Sequence, residues 1–188
     1  MTNFSDDRLR ALKRMNGIEL RRVLSGDGPE ALNWIRTAAE HGLPYGQLRW
    51  GEMLMAQSPA LALHWFVEAA RAGNGEAMNK AGLCCQRGIG TSVDLPRAAH
   101  WYRRSAEAGH EEGAYNYAHM LLHGIGTPCD RQEALIWYRR AADRGHALAM
   151  TLLARCHEEG WGCDKNPDQA AHWHWRSAEA SFLVGPAA

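Results

Sequence analysis

The sequence has no excess of charge of either sign, because 21 lysines and arginines balance 21 aspartates and glutamates. Such a chain has no global field that would attract nucleic acid or an anionic membrane, so we expect neither as a partner. No apolar run approaches ~18 residues, which argues against a membrane-spanning helix. The N-terminal segment is polar and lacks the apolar stretch of a secretory signal, so we expect no such signal.

The sequence also lacks a regular cysteine pattern. Its five cysteines are an odd number, and no common spacing relates them. This arrangement favours free thiols in a reducing cytoplasm over a disulfide framework. A reactive thiol among them remains an alternative. We therefore expect a cytoplasmic protein, and separately we expect a bacterial source. No motif in the sequence calls for a cofactor.

What the sequence does contain is a repeat. A tryptophan recurs every 36 residues, at Trp65, Trp101, Trp137 and Trp173, and the text around each one recurs with it. Trp34 precedes Trp65 by only 31 residues, because a short loop is missing after Gln57. The chain thus holds five copies of one half-repeat and four clear copies of the other. A fixed period of this size is typical of a solenoid, in which each unit packs on its neighbours.

Each unit is predicted to hold two helices, A and B. Helix A, exemplified by residues 75–87, is predicted to end at glycines that suit the left-handed position: Gly88, Gly124 and Gly160. Helix B is predicted to begin after strong N-cap residues: Asp27, Ser58, Asp94, Asp130 and Asn166. Three of them are followed by a residue that would complete a capping box: Glu30, Glu133 and Gln169. The tryptophans of the B helices are interpreted as core.

One copy of the pattern is carried by Ala77, Gly82, Gly88, Gly90, Asp94, Ala98, Trp101, Tyr102, Ala106 and Gly109. This pattern resembles the Sel-one-like repeat, a relative of the tetratricopeptide repeat, over roughly residues 27–181. The resemblance implies an all-α fold, a right-handed α/α superhelix that serves as an adaptor for protein complexes. We expect capping helices in 1–26, four to five repeats in 27–181 and a tail in 182–188. Some secreted relatives carry disulfides and a few act on β-lactams, but their bridging cysteines are absent here.

The resemblance further implies that the A helices line a concave groove that binds a protein or peptide. The side chains off the core stripe of these helices are the candidate binding residues: Tyr45, Arg49, Glu52, Glu76, Lys80, Leu83, Arg87, Glu112, Asn116, His119, His123, Leu148, Leu152, Arg155 and Glu159. Their basic and amide members would clamp a carboxylate or the backbone of an extended peptide. Any helix also needs a solvated polar face, so the row is a hypothesis.

Two alternatives from other classes stay open. His119 and His123 lie four apart on one helix, and Glu159 is the only obvious third ligand for a metal-dependent hydrolase or a metal-binding protein. The intervening residues lack the glutamate of the zinc-protease motif, so the main expectation is no enzyme and no metal. The second alternative is a purely structural module within a larger assembly. No acid/base pair and no Ser–His or Cys–His pair stands out.

The C-terminal end of the stack offers no obvious polar cap, which solenoids normally require. Either Phe182, Leu183 and Val184 fold back over the last hairpin, or this end associates with a second copy of the chain.

Overall fold

The computed structural model describes residues 4–26 and 28–183, and all regular secondary structure in these ranges is α-helical. The all-α class and the repeated helical hairpins are therefore confirmed. Contacts divide the chain into two units, Met1–Val93 and Asp94–Ala188. The predicted N-cap Asp27 and the tail beyond residue 183 lie outside the described ranges.

The first unit holds two short N-terminal helices followed by alternating B and A helices: α1 (Phe4–Arg14), α2 (Gly17–Leu24), α3 (Pro29–Glu40), α4 (Pro44–Leu54), α5 (Pro59–Arg71) and α6 (Gly75–Arg87). The N-terminal segment breaks at Asn16, whose side chain accepts the N–H groups of Ile18 and Glu19 and so starts α2. Leu12 and Leu24 are buried with Ile35 of α3, so α1 and α2 cover the first hairpin.

The second unit continues the alternation: α7 (Leu95–Glu107), α8 (Glu111–His123), α9 (Arg131–Asp143), α10 (Ala147–Glu159) and α11 (Pro167–Leu183). Here α8 and α10 are A helices, and α7, α9 and α11 are B helices. In this unit α8 packs against α7 and α9, and α10 packs against α9 and α11.

The ends of the A helices agree with the prediction. Gly88, Gly124 and Gly160 each follow a helix with φ of 70°, 67° and 74°, a left-handed conformation that glycine adopts without steric cost. The N-caps Asp94 and Asp130 accept the backbone N–H of the third helical residue. Ser58 occupies the equivalent position before α5 without a side-chain cap hydrogen bond.

The capping boxes predicted with Glu133 and Gln169 are wrong. The backbone N–H groups of Asp130 and Asn166 donate instead to main-chain carbonyls of the preceding A helix, Leu121 O at 3.0 Å and His157 O at 2.8 Å. The Glu133 carboxylate accepts the indole N–H of Trp137 at 3.1 Å. The backbone N–H of each cap residue therefore donates to a carbonyl of another helix, and not to the side chain three residues later as in a capping box.

Small residues let the helices of a hairpin approach closely. A Cβ on Gly51 would lie 2.7 Å from the ring of Phe66, and a Cβ on Gly113 would overlap Ser105. Trp101, Trp137 and Trp173 are buried in the second unit, as predicted. Trp34 and Trp65 are only half-buried, and the fully buried side chains beside them are Ile35 and Phe66.

The last helix, α11, carries exposed aromatic side chains. Phe182 is 88% exposed and Trp175 is 63% exposed, so Phe182 does not fold back over the final hairpin. Of the two alternatives for this end, the fold-back is wrong for Phe182, while Val184 lies outside the described residues. Within residues 4–26 and 28–183, no helix is both long and apolar enough to cross a bilayer.

Candidate functional site

The predicted binding row of the first unit is a chain of ion pairs across helices. Arg49 and Glu52, both on α4, approach to 2.7 Å, and Lys80 of α6 approaches the other oxygen of Glu52 at 2.8 Å. Arg49 also donates to the carbonyl of Leu24 at the end of α2, at 3.2 Å. Since all three side chains are at least two-thirds buried, the pairs are shielded from solvent more than ordinary surface pairs. Glu52 therefore ties α4 to α6.

The remaining members of this row differ in exposure and in their contacts. Glu76 is exposed and lies 4.0 Å from the Lys80 ammonium. Tyr45 and Leu83 are half-buried, and the Tyr45 ring faces the guanidinium of Arg21 at 5.8 Å. Arg87 is exposed and forms no ion pair with any carboxylate of the described ranges. It is the cation of this row that is available to a ligand.

In the second unit the row is joined by a histidine that the sequence analysis missed. His146, the N-cap of α10, accepts the N–H of Ala149 through Nδ1 at 3.1 Å. Its Nε2 lies 2.8 Å from the Glu112 carboxylate of α8. Because Nδ1 accepts, the ring proton sits on Nε2 and donates to Glu112. The ring of Tyr115 stacks on this imidazole, with centroids 4.6 Å apart. His110 stands 36 residues earlier and caps α8 in the same way, which is a signal the sequence does contain.

The other members of the second row differ in exposure. Leu148 is 60% exposed, Leu152 and Asn116 are half-buried, and Arg155 and Glu159 are exposed. The Arg155 guanidinium lies 5.5 Å from the centre of the Trp161 ring. On α10 the row therefore presents two leucines and an arginine that contacts an indole, whereas the row of the first unit is mainly a chain of ion pairs.

The histidine pair does not become a metal site. The rings of His119 and His123 are close, with centroids 4.6 Å apart, and burial together with the neighbouring His123 lowers the pKa of His119. However, in the part of the chain that the structure describes, no three His, Cys, Asp or Glu side chains are placed to hold one ion. Glu159 does not join the pair, so the geometry does not support the metal-dependent alternative.

A Cys–His pair that the sequence analysis did not single out links α10 to the loop that follows it. Cys163 Sγ lies 3.5 Å from Nδ1 of His157. Burial and the nearby Asp164 raise the pKa of the Cys163 thiol, whereas burial and Arg139 lower the pKa of His157. Both shifts favour the neutral thiol and imidazole. A cysteine nucleophile requires the thiolate, and both shifts disfavour the charged pair.

Two buried cysteines, Cys84 and Cys156, are not activated thiols either. All five cysteines are free. Burial, with a smaller contribution from Cys85, raises the pKa of Cys84 to about 11, and burial raises the pKa of Cys156 to about 11. These buried thiols stay protonated near neutral pH, which makes them inert core residues.

Several arginines of the B helices in the second unit pack on the repeat tryptophans. Arg140 lies over Trp137 at 4.4 Å, and Arg176 lies over Trp173 at 5.1 Å. Arg176 also approaches Asp143 at 3.7 Å. A guanidinium over an indole face gains cation–π attraction and covers the ring, so these arginines belong to the packing of the hairpins.

These observations define a protein built from helical hairpins, with polar rows on its A helices and no assembled catalytic group in the described residues. The chain belongs to the Sel1 repeat family, whose model matches residues 15–43, 45–74, 75–110, 111–146 and 147–182. Members of this family are generally non-enzymatic scaffolds for protein–protein interaction. No curated protein sequence matches the chain.

Solved structures share the fold. A protective antigen present in uropathogenic Escherichia coli strains, which displays an SLR fold, is 25% identical with a TM-score of 0.80. The similarity covers 95% of this chain and only 41% of the antigen. A Sel1 repeat protein from Oxalobacter formigenes is 28% identical with a TM-score of 0.73, over 92% of this chain and 75% of the other. Cysteine rich protein B of Helicobacter pylori, 16% identical with a TM-score of 0.53 over 81% of this chain and 98% of its own, shares the fold alone.

Proposed function

We propose that the chain is a non-catalytic adaptor that binds a protein or peptide partner along its A helices. The surface in question, the A-helix face, consists of the outward side chains of α4 and α6 in the first unit and of α8 and α10 in the second. The family resemblance implies that these helices line a concave groove.

One observation carries this proposal: consecutive A helices are joined through their polar side chains. Glu52 bridges α4 to Lys80 of α6 at 2.8 Å, and Glu112 bridges α8 to His146 of α10 at 2.8 Å. Such bridges hold neighbouring helices in register and fix the side chains between them. A surface fixed in advance loses less conformational entropy when a partner binds.

The chemistry of the face suits an extended segment of mixed character. Arg87 and Arg155 are exposed cations, and His123 is an exposed donor or acceptor. Leu148 adds an exposed apolar side chain at 60% exposure. Charged hydrogen bonds to carboxylates, combined with apolar contacts, are a usual basis for peptide recognition by helical surfaces.

The test is partner capture from a lysate of the source organism, with Arg87→Glu as the variant. Arg87 is exposed and unpaired within the described ranges, so its reversal should reduce capture at least several-fold while the helical circular dichroism stays unchanged. Lys80 is a poorer choice, because a carboxylate there would stand beside Glu52 and Glu76 and destabilise the fold.

The matched control is Arg97→Glu, which makes the same charge change at an exposed position on the B helix α7. Equal capture by both variants and the parent chain would contradict a role for the A-helix face. Equal loss in both variants would show that net charge, not the face, determines binding.

We also propose a cytoplasmic location in a bacterium. The five thiols are free, as expected of a reducing compartment, and the similar structures named above come from bacteria. Fractionation of the native cells, with this chain recovered in the periplasmic or secreted fraction, would overturn this proposal.

A second candidate, self-association through α11, is favoured by the exposed aromatic side chains of that helix. Trp175 and Phe182 are seven residues apart, so they lie on one side of α11. Sedimentation should show a mass that rises with concentration, and the double variant Trp175→Ser, Phe182→Ser should abolish the rise. A constant monomer mass would remove this candidate.

A further inference from the structure

A small pocket lies in the second unit, outside the predicted binding row except for one residue. It has a volume of about 240 Å³ and is lined by Leu122, His123, Arg131 and Trp161. Leu122 and His123 end α8, Arg131 opens α9, and Trp161 lies in the turn after α10. We call it the Trp161 pocket. Its volume is below the roughly 300–1,000 Å³ of pockets that take whole small molecules, so it suits a single side chain.

The turn that carries Trp161 is positioned by a backbone hydrogen bond and by a close backbone contact. Trp161 N–H donates to the carbonyl of Cys156 at 2.9 Å. Gly162 follows with φ of 79°, and a Cβ at this glycine would overlap the carbonyl of Arg131. The turn therefore sits directly on the first residue of α9. Trp161 and Arg131 are brought together by the fold itself, without a ligand.

The same turn occurs in two other copies, but with different side chains. Gly90 packs on the carbonyl of Pro59, and Gly126 packs on the carbonyl of Leu95, as Gly162 packs on that of Arg131. The residues that correspond to Trp161 are Ile89 and Ile125. In these copies the turn forms with isoleucine at the position of Trp161, and with proline or leucine at the position of Arg131. An indole and a guanidinium at these two positions are not needed to build the turn.

Two cations near the pocket, Arg131 and Arg155, have no acidic partner among the residues that the structure describes. Arg155 instead lies over the Trp161 ring at 5.5 Å. Glu158 of α10 pairs with His174 at 3.0 Å, and Glu133 of α9 accepts the indole N–H of Trp137.

We propose that the Trp161 pocket binds an acidic peptide segment, in which one apolar side chain enters the pocket and an adjacent carboxylate meets Arg131. The indole and Leu122 supply the apolar contact, and the unpaired guanidinium supplies the charge complement. This inference rests on the proposed function, because it names the chemistry of the partner that the second unit would recognise.

The probe is the capped peptide acetyl-Ala-Phe-Asp-Ala-amide, titrated into ¹⁵N-labelled protein while the indole N–H signals are followed by NMR. The signal of Trp161, assigned from its loss in Trp161→Ile, should shift with saturation. The Asn version of the peptide should bind about tenfold more weakly, because a charged hydrogen bond is lost. Arg131→Gln should weaken the Asp peptide by a similar factor and leave the Asn peptide unchanged.

Trp161→Ile introduces the residue found in the other copies, so it is expected to fold. It should lose most of the binding to both peptides, read from its backbone amide signals because this variant lacks the Trp161 indole. No saturable shift of the Trp161 signal, or equal affinity for the Asp, Asn and Lys versions, would overturn the proposal. A partner captured equally by Trp161→Ile, Arg131→Gln and the parent, but lost with Arg87→Glu, would refute this pocket and leave the adaptor function standing.

Discussion

At the scale of the residue, the packing of the repeat depends on glycines, whose lack of a side chain lets two helices approach closely. Gly46 of α4 is the clearest case, since its Cα packs against Ala38 of α3. A methyl group there would lie 2.4 Å from the Ala38 side chain and 2.9 Å from its main-chain carbon. The backbone of α3 cannot yield as a flexible side chain would. Glycine is thus a packing residue here, although it disfavours helix formation.

Gly46→Ala should lower the free energy of unfolding by about 1–3 kcal/mol, the usual cost of overpacking, although alanine is the better helix former. Urea denaturation measures the change. The control is Gly17→Ala at the start of α2, where an added Cβ meets nothing within 4 Å. Gly17→Ala should be neutral or slightly stabilising. A stabilised Gly46→Ala would contradict the packing described for α3 and α4.

The pKa of His119 gives a pH-dependent prediction. Burial and the neighbouring His123 lower this pKa from its ordinary 6.5, so the folded chain resists a proton that the unfolded chain accepts. The free energy of unfolding should therefore fall as the pH drops below 6.5. His119→Gln should reduce that loss, as measured by urea denaturation at several pH values. His100→Gln, on an exposed position of α7, is measured alongside as the control. A steeper acid loss in His119→Gln would contradict the assignment.

At the scale of the element, local signals determine where helices start and stop, and tertiary contacts decide which donors they use. The glycines after the A helices and the caps Asp94 and Asp130 could be predicted, because cap chemistry acts within a few residues. The capping box at Glu133 could not, because Leu121 supplies an acceptor for the Asp130 N–H from another helix. Only the fold brings that carbonyl close.

Asp130→Ala should cost about 0.5–2 kcal/mol of stability, because the N–H of Glu133 loses its acceptor. Ser58→Ala is the matched control: Ser58 holds the same position before α5 but makes no side-chain cap hydrogen bond. Its effect should be within a few tenths of a kcal/mol by the same reasoning. Thermal unfolding of the two variants compares them directly. Similar losses in both would show that the cap bonds do not distinguish these helices.

At the scale of the whole molecule, the period of the tryptophans predicts stacked repeats, and the helix-end signals within each repeat predict a hairpin. It could not show that Arg49 and Lys80 share Glu52, because the pairing depends on how α4 and α6 lie side by side. Nor could it show the Trp161 pocket, whose walls come from three segments of the chain. Periodicity identifies core positions, whereas the contacts of exposed side chains require coordinates.

The most direct test of the central claim is hydrogen exchange of the chain with and without its captured partner, read by mass spectrometry. If the A helices form the binding surface, the partner should slow exchange in peptides from α4, α6, α8 and α10. Peptides that contain only α5, α7 or α9 should change little. Protection confined to these B helices would contradict the account, and so would the absence of protection at saturating partner.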